Sequence, residues 1–147
     1  MTANTSPIFP LTPYAVSVSL AATTACSTRA PTITASLPGA NIIAFVPVST
    51  DGARIDRIEV KGCSTSFTAP TADQLVGIWL WDGTTAFLID EILVSAITPS
   101  TTGFSFKGEK DYSNLVLPAA FGLYISTSIT TTAATTALSA TAFGGTY

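Results

Sequence analysis

The chain of 147 residues has no histidine. That absence removes the commonest general base, the Ser-His-Asp triad, the Cys-His pair and nearly all catalytic zinc sites. Charge is also scarce: 10% of the residues are Asp, Glu, Lys or Arg, against a usual share of about 25%. The six basic residues are Arg29, Arg54, Arg57, Lys61, Lys107 and Lys110. Three of them, Arg54, Arg57 and Lys61, are interleaved with Asp56 and Glu59, a pattern of a solvated strand face and not of a phosphate-binding patch. Direct nucleic-acid binding is therefore not expected. Two cysteines, Cys26 and Cys63, are too few for a disulfide framework and read as reduced, buried thiols, a bridge remaining open if their strands are neighbours. Long apolar runs are missing too. The longest clean one, Ile42 to Val48, falls far short of the roughly 20 residues of a membrane-spanning helix. A membrane β-barrel is disfavoured because lumen-facing positions would need to be more polar. The opening MTANTSPIFPLTPYAV has neither a basic n-region nor a continuous apolar h-region, so no secretory signal is expected.

What fills the space is Thr, Ser and Ala, with 47% apolar residues and a mean hydropathy of +0.48. Most of the surface must then be neutral, whereas a freely soluble monomer usually carries more charge. This predicts a surface covered by copies of the chain or by a larger assembly. The length suits one domain with a core that needs no metal or disulfide.

The stretch Leu75 to Val94 reads as two apolar strands folded back at Asp82-Gly83, a type I′ hairpin signal. Leu75, Gly77, Trp79 and Trp81 share one face, and Val76, Ile78 and Leu80 the other. Both are apolar, as in a strand covered on both sides. Before it, residues 1–13 carry Pro7, Pro10 and Pro13, which block helix and central strand; they read either as a disordered tail or as an extended arm that lays Ile8 and Phe9, with Leu11 beside them, onto a neighbouring subunit. Residues 14–147 form the single domain. Tyr14 to Leu20 alternates as a half-buried strand. Thr32 to Ser36 is a candidate short strand closed by Leu37-Pro38-Gly39, and Ile42 to Val48 a strand that is central or bulged. Asp51-Gly52 is a second hairpin-type turn. Arg54 to Lys61 is a strand with Ile58 and Val60 inward and a bulge near Asp56-Arg57, because Ile55 is out of phase. Cys63 to Ala69 is another candidate strand. The return arm Thr85 to Val94 is predicted to end in a helical turn near Ile89 to Leu93. Phe104 and Phe106 are placed on one face of a short strand, and Lys107 to Ser113 in an exposed loop. Leu123 to Ile129 and Ala137 to Phe143 are the closing strands around a Thr130 to Thr136 turn. Short strands at regular spacing with almost no helical period predict an all-β, jelly-roll-like antiparallel β-sandwich of about eight strands.

Chemistry is sparse in this pattern. Asp90 and Glu91 are adjacent and point to opposite faces of a strand. A distant carboxylate pair such as Asp82 and Glu109 is not selected by any motif. Asp51-Gly52 and Asp82-Gly83 lack the calcium-loop pattern and are explained as turns. Gly144-Gly145 precedes no helix and is no phosphate cradle. No catalytic residue, metal or cofactor is expected. Trp79 and Trp81, with Phe87 placed across the hairpin, form a candidate aromatic binding face if wet, and a core joining the two sheets if dry. The dry reading is the one adopted.

The closing segment LPAAFGLYISTSITTTAATTALSATAFGGTY, Leu117 to Tyr147, resembles the end of small virion proteins of tailed bacteriophages. There a Leu-Pro-Ala turn introduces the penultimate strand and the last strand closes on a Phe-Gly-Gly-aromatic ending. The penultimate strand of such proteins carries a charged residue or two, and Tyr124 to Ser128 carries none. The resemblance implies a capsid decoration or cement protein, or a head-fibre base, often trimeric. The expectation is a non-enzymatic virion protein on the capsid surface, assembled in the host cytoplasm, with the major capsid protein as partner and a homo-oligomer, trimer favoured, as its form. Phe143 and Tyr147 join Ile8, Phe9 and Leu11 as interaction candidates at the chain ends. The alternative is a tail or fibre component, or a carbohydrate-binding sandwich using Trp79 and Trp81.

Overall fold

The computed structural model describes residues 12–33 and 41–147. Among them the chain forms nine strands and no helix: β1 (Thr12–Leu20), β2 (Thr32–Ile33), β3 (Ile42–Val46), β4 (Ala53–Gly62), β5 (Gln74–Trp81), β6 (Thr85–Val94), β7 (Lys107–Leu117), β8 (Gly122–Thr127) and β9 (Leu138–Thr146). Two antiparallel sheets result, the first in the order β1-β9-β4-β7 and the second in the order β2-β6-β5-β8-β3. Without the two-residue β2, each sheet has four strands. The first and last long strands pair, and almost every connection crosses from one sheet to the other. This is jelly-roll order. The ninth strand is β2, a short addition at the β6 edge.

Between the sheets lies an apolar core in which Leu20, Ile55, Ile58, Val60, Ile78 and Ile125 are fully buried. The alternation of β1 holds as expected, and the bulge in β4 sits between Ile55 and Arg57. That extra residue lets Ile55 and Ile58 both face inward. Pro13 falls in β1, an edge strand, where its missing N–H leaves the ladder with β9 intact. β1 starts at Thr12, within the stretch expected to be the arm.

Several expectations are corrected. Asp82-Gly83 does fold β5 onto β6, but only Gly83 has positive φ (+98°), so the turn is not type I′. Asp82 instead accepts hydrogen bonds at Oδ1 from the amides of Thr84 (2.8 Å) and Thr85 (2.7 Å), closing a three-residue loop. Asp51-Gly52 lies in the β3–β4 crossover between sheets and closes no hairpin. Gly52 has φ +91°, and a Cβ there would stand 2.6 Å from the Leu117 carbonyl oxygen. β3 is bulged as expected, yet it is an edge strand. Cys63 to Ala69 is a loop. Thr85 to Val94 stays extended to its end, with a register shift at Ile89 in place of a helical turn. Lys107 to Ser113 is no loop but the first half of β7, an edge strand whose outward side chains are charged. Phe104 and Phe106 do not share a face: Phe106 is buried and Phe104 is exposed. Cys26 is buried as expected, while Cys63 is exposed, and both are free thiols. Leu37-Pro38-Gly39 and the arm residues Ile8, Phe9 and Leu11 lie outside the described residues.

Candidate interaction surface

Trp79 and Trp81 are buried, at 1% and 8% exposure, but not between the sheets. Val76 and Ile78 face the inter-sheet core, so the alternation of β5 sends Gly77, Trp79 and Trp81 to the outer face of the second sheet. There they form a second apolar cluster with Cys26, Ile42, Ala86 and Tyr124. The expectation that they join the two sheets is corrected accordingly. Phe87 is opposite Leu80 and off the tryptophan face, since Trp79 pairs with Leu88 and Trp81 with Ala86. The segment after β1 covers this cluster: the Cys26 amide donates to the Thr127 carbonyl (2.8 Å), and Arg29 reaches Glu91 (2.8 Å). The Trp79 indole N–H donates to Ser126 Oγ at 2.8 Å, over Gly77, where a Cβ would press on both groups. A cleft of about 180 Å³ remains between this segment and the sheet. It exposes no flat indole face on which a sugar ring could stack.

The outer face of the first sheet is polar. Glu59 is buried between Lys61 (2.6 Å) and Lys107 (3.0 Å), whose ammonium groups hold its carboxyl below the usual range despite the opposing effect of burial. Phe143 lies on this face under Arg57, whose guanidinium is 4.6 Å from the ring centre. Tyr147 is half-buried, its amide meeting the Gly52 carbonyl at 3.4 Å. Neither is a free aromatic anchor. Asp90 and Glu91 face opposite ways, as expected: Glu91 pairs with Arg29, and Asp90 receives Lys110 (3.2 Å) and the Tyr112 hydroxyl (3.2 Å). Burial and the neighbouring Asp90 carboxylate keep the Tyr112 phenol well above its ordinary pKa, so it acts as a neutral donor. Asp82 caps a turn of the second sheet and Glu109 lies on the first, so they form no acid pair. Among the described residues no three of Cys, Asp and Glu converge on one point.

The remaining surface is the end where the β1–β2, β4–β5, β6–β7 and β8–β9 connections meet. Hydrogen bonds tie them into one platform: Thr131 N to Thr23 O (3.0 Å), Cys63 N to Ala137 O (3.0 Å), Thr65 N to Ala133 O (3.1 Å) and Thr71 N to Ile97 O (2.9 Å). Beneath it, Thr23 Oγ1 is 2.6 Å from Thr127 Oγ1 and 2.9 Å from Thr131 Oγ1, all three residues being buried. In these connections the described charged residues are Arg29 and Asp73. The first is paired with Glu91, and the second accepts from the Ala96 amide at 2.7 Å. From this neutral platform project Phe67, 85% exposed, and Phe104, 95% exposed. They belong to adjacent connections, between which Cys63, Pro99 and Gly103 line a cleft of about 190 Å³. Cys63 is exposed as a residue, but partial desolvation of its sulfur raises the thiol pKa, with the Ser139 hydroxyl opposing, so the thiol is protonated and a poor nucleophile at neutral pH.

Sequence reasoning misses Phe67 and Phe104 as exposed loop residues because it places Phe67 within the candidate strand Cys63 to Ala69 and Phe104 on a short strand with Phe106. The usable signal was a lone large ring among Ser, Thr, Gly and Pro, in STSFTAP and STTGFS. Compared with family models, curated proteins and solved structures, the chain matches none.

Proposed function

We propose that the chain is a non-enzymatic structural protein of a tailed-bacteriophage particle, which binds the outer face of the capsid and reinforces contacts between subunits of the major capsid protein. It acts as a homo-oligomer, a trimer by preference, and is assembled in the host cytoplasm. The observation that carries this reading is the loop platform, where Phe67 and Phe104 stand exposed amid hydrogen-bonded neutral Thr, Ser and Ala. Aromatic anchors set in an uncharged rim gain apolar burial without the cost of desolvating ions. A stable interface of this kind buries roughly 1,200–2,000 Å², and many copies act together on one shell. The resemblance of Leu117 to Tyr147 to virion proteins supplies the particle, and the jelly-roll sandwich supplies a rigid support for the loops.

The test is to disassemble purified particles, separate heads from tails and identify the chain in each fraction by mass spectrometry. The reading expects it with the heads, in many copies. Presence with tails alone would move it to the tail or fibre class.

A further inference from the structure

The two sides of the sandwich are closed differently. On the β6–β7 side, Lys110 and Tyr112 reach across to Asp90 and clasp the sheets together. The β1–β3 side instead has an apolar groove of about 450 Å³, lined by Tyr14 and Val16 of β1, by Val46, Pro47 and Val48, and by Ala53 of β4. Val48 on its rim is 49% exposed, and the Tyr14 phenol oxygen is buried with no partner among the described residues. By volume the groove holds about two large apolar side chains at protein packing density. β1 pairs only with β9, so its other edge has no strand beside it among the described residues.

The chain enters at the groove's rim, because Thr12 pairs with Thr146, which also lines it. Residues 1–11 carry no charged side chain and include Ile8, Phe9 and Leu11. For Phe9 to enter the groove of its own chain, the backbone must reverse at Pro10-Leu11. The two-residue turns that match strand twist need a positive φ at their first residue, and proline holds φ near −65°. Phe9 and Thr12 each precede a proline, which biases both toward extended backbone. That sequence pattern disfavours a fold-back of residues 8 and 9 into the groove of the same chain. We propose that the groove receives Ile8 and Phe9 from a second copy of this chain. Such a contact is head-to-tail, and repeated around a rotation axis it closes a ring. The inference rests on the homo-oligomer part of the proposed function and names its joint.

Chains carrying Phe9→Cys or Val48→Cys, each in a Cys63→Ser background that leaves the buried Cys26 as the one other thiol, are mixed in equal amounts and oxidised. The expected product is a disulfide-linked dimer from the mixture and not from either chain alone, together with a full-chain mass of two or more times 15.1 kDa by light scattering. Val48→Asp, a change at an exposed rim position, should return the mass to that of one chain. A chain carrying both cysteines that links only within itself would show that the arm fills its own groove, and a mixture that yields no dimer would equally overturn the proposal. Capsid binding, read separately by co-sedimentation with heads, distinguishes failure of this joint from failure of the virion reading.

Discussion

Ala120 holds φ at +68° in the β7–β8 connection, a left-handed backbone that a side chain opposes by roughly 1–2 kcal/mol. Its amide donates to the Ser49 carbonyl at 3.1 Å, so the turn is fixed by the neighbouring crossover and not by the preference of alanine. Ala120→Gly relieves that strain but frees the unfolded chain by about 0.4–1 kcal/mol. The expected outcome is unchanged stability or a gain of up to about 1 kcal/mol in urea unfolding, and a clear loss would contradict the assigned conformation. Gly144 makes the opposite case. A Cβ there would run into the Arg54 carbonyl, where β9 passes the bulge of β4. Gly144→Ala should lower stability by about 2 kcal/mol or more, measured as a fall in the urea midpoint. The sequence made the glycine visible, and it excluded a phosphate cradle. Its actual reason, close approach to another strand, required knowing which strand lies beside it.

At the level of strands and loops, Thr131 is the most connected side chain of the platform. Its hydroxyl donates to the Leu20 carbonyl (2.6 Å) and accepts from the Thr23 amide (3.0 Å). Thr131→Val keeps the shape and leaves both backbone groups unpaired, at an expected cost of about 1–3 kcal/mol. Thermal unfolding should show it, together with faster amide exchange in 21–31 and 128–137. On the first sheet, the two lysines depress the pKa of Glu59. The stability this gives is complete above the unfolded glutamate pKa of about 4.3 and is lost as pH falls through the lower folded value. Glu59→Gln should therefore flatten the acid limb of stability against pH, and an unchanged limb would show that the lysines contribute nothing. Strand identity was legible wherever one face was apolar, as in β1, β4 and β5. It failed for β7 because KGEKDYS carries its charges on an edge strand, where Lys110 and Tyr112 reach Asp90 and only Tyr112 also rests against the core. It failed for Cys63 to Ala69 because Ser/Thr alternation matches a strand without supplying any apolar face to bury.

For the whole molecule, the sandwich and the number of long strands followed from short alternating segments and turns, while the pairing order did not, since it depends on contacts distant in sequence. The tryptophans illustrate the limit. Their burial was expected, but they sit under the Cys26–Arg29 segment on the outer face of the second sheet, because a strand that is apolar on both sides does not reveal which side meets the other sheet. Native emission should be blue-shifted and only weakly quenched by iodide, and strong quenching would place that segment off the sheet. The proposed attachment of this jelly roll to a shell runs through a neutral loop platform with two exposed phenylalanines. Its most direct measurement is co-sedimentation of the purified protein with phage heads lacking it, comparing the natural chain with a Phe67→Ser, Phe104→Ser double variant. Both positions are solvent-exposed, so the variant should fold normally by circular dichroism. Saturable pelleting of the natural chain and at least a tenfold weaker affinity for the double variant are expected. Equal pelleting of the two proteins, or none by the natural chain, would contradict that attachment.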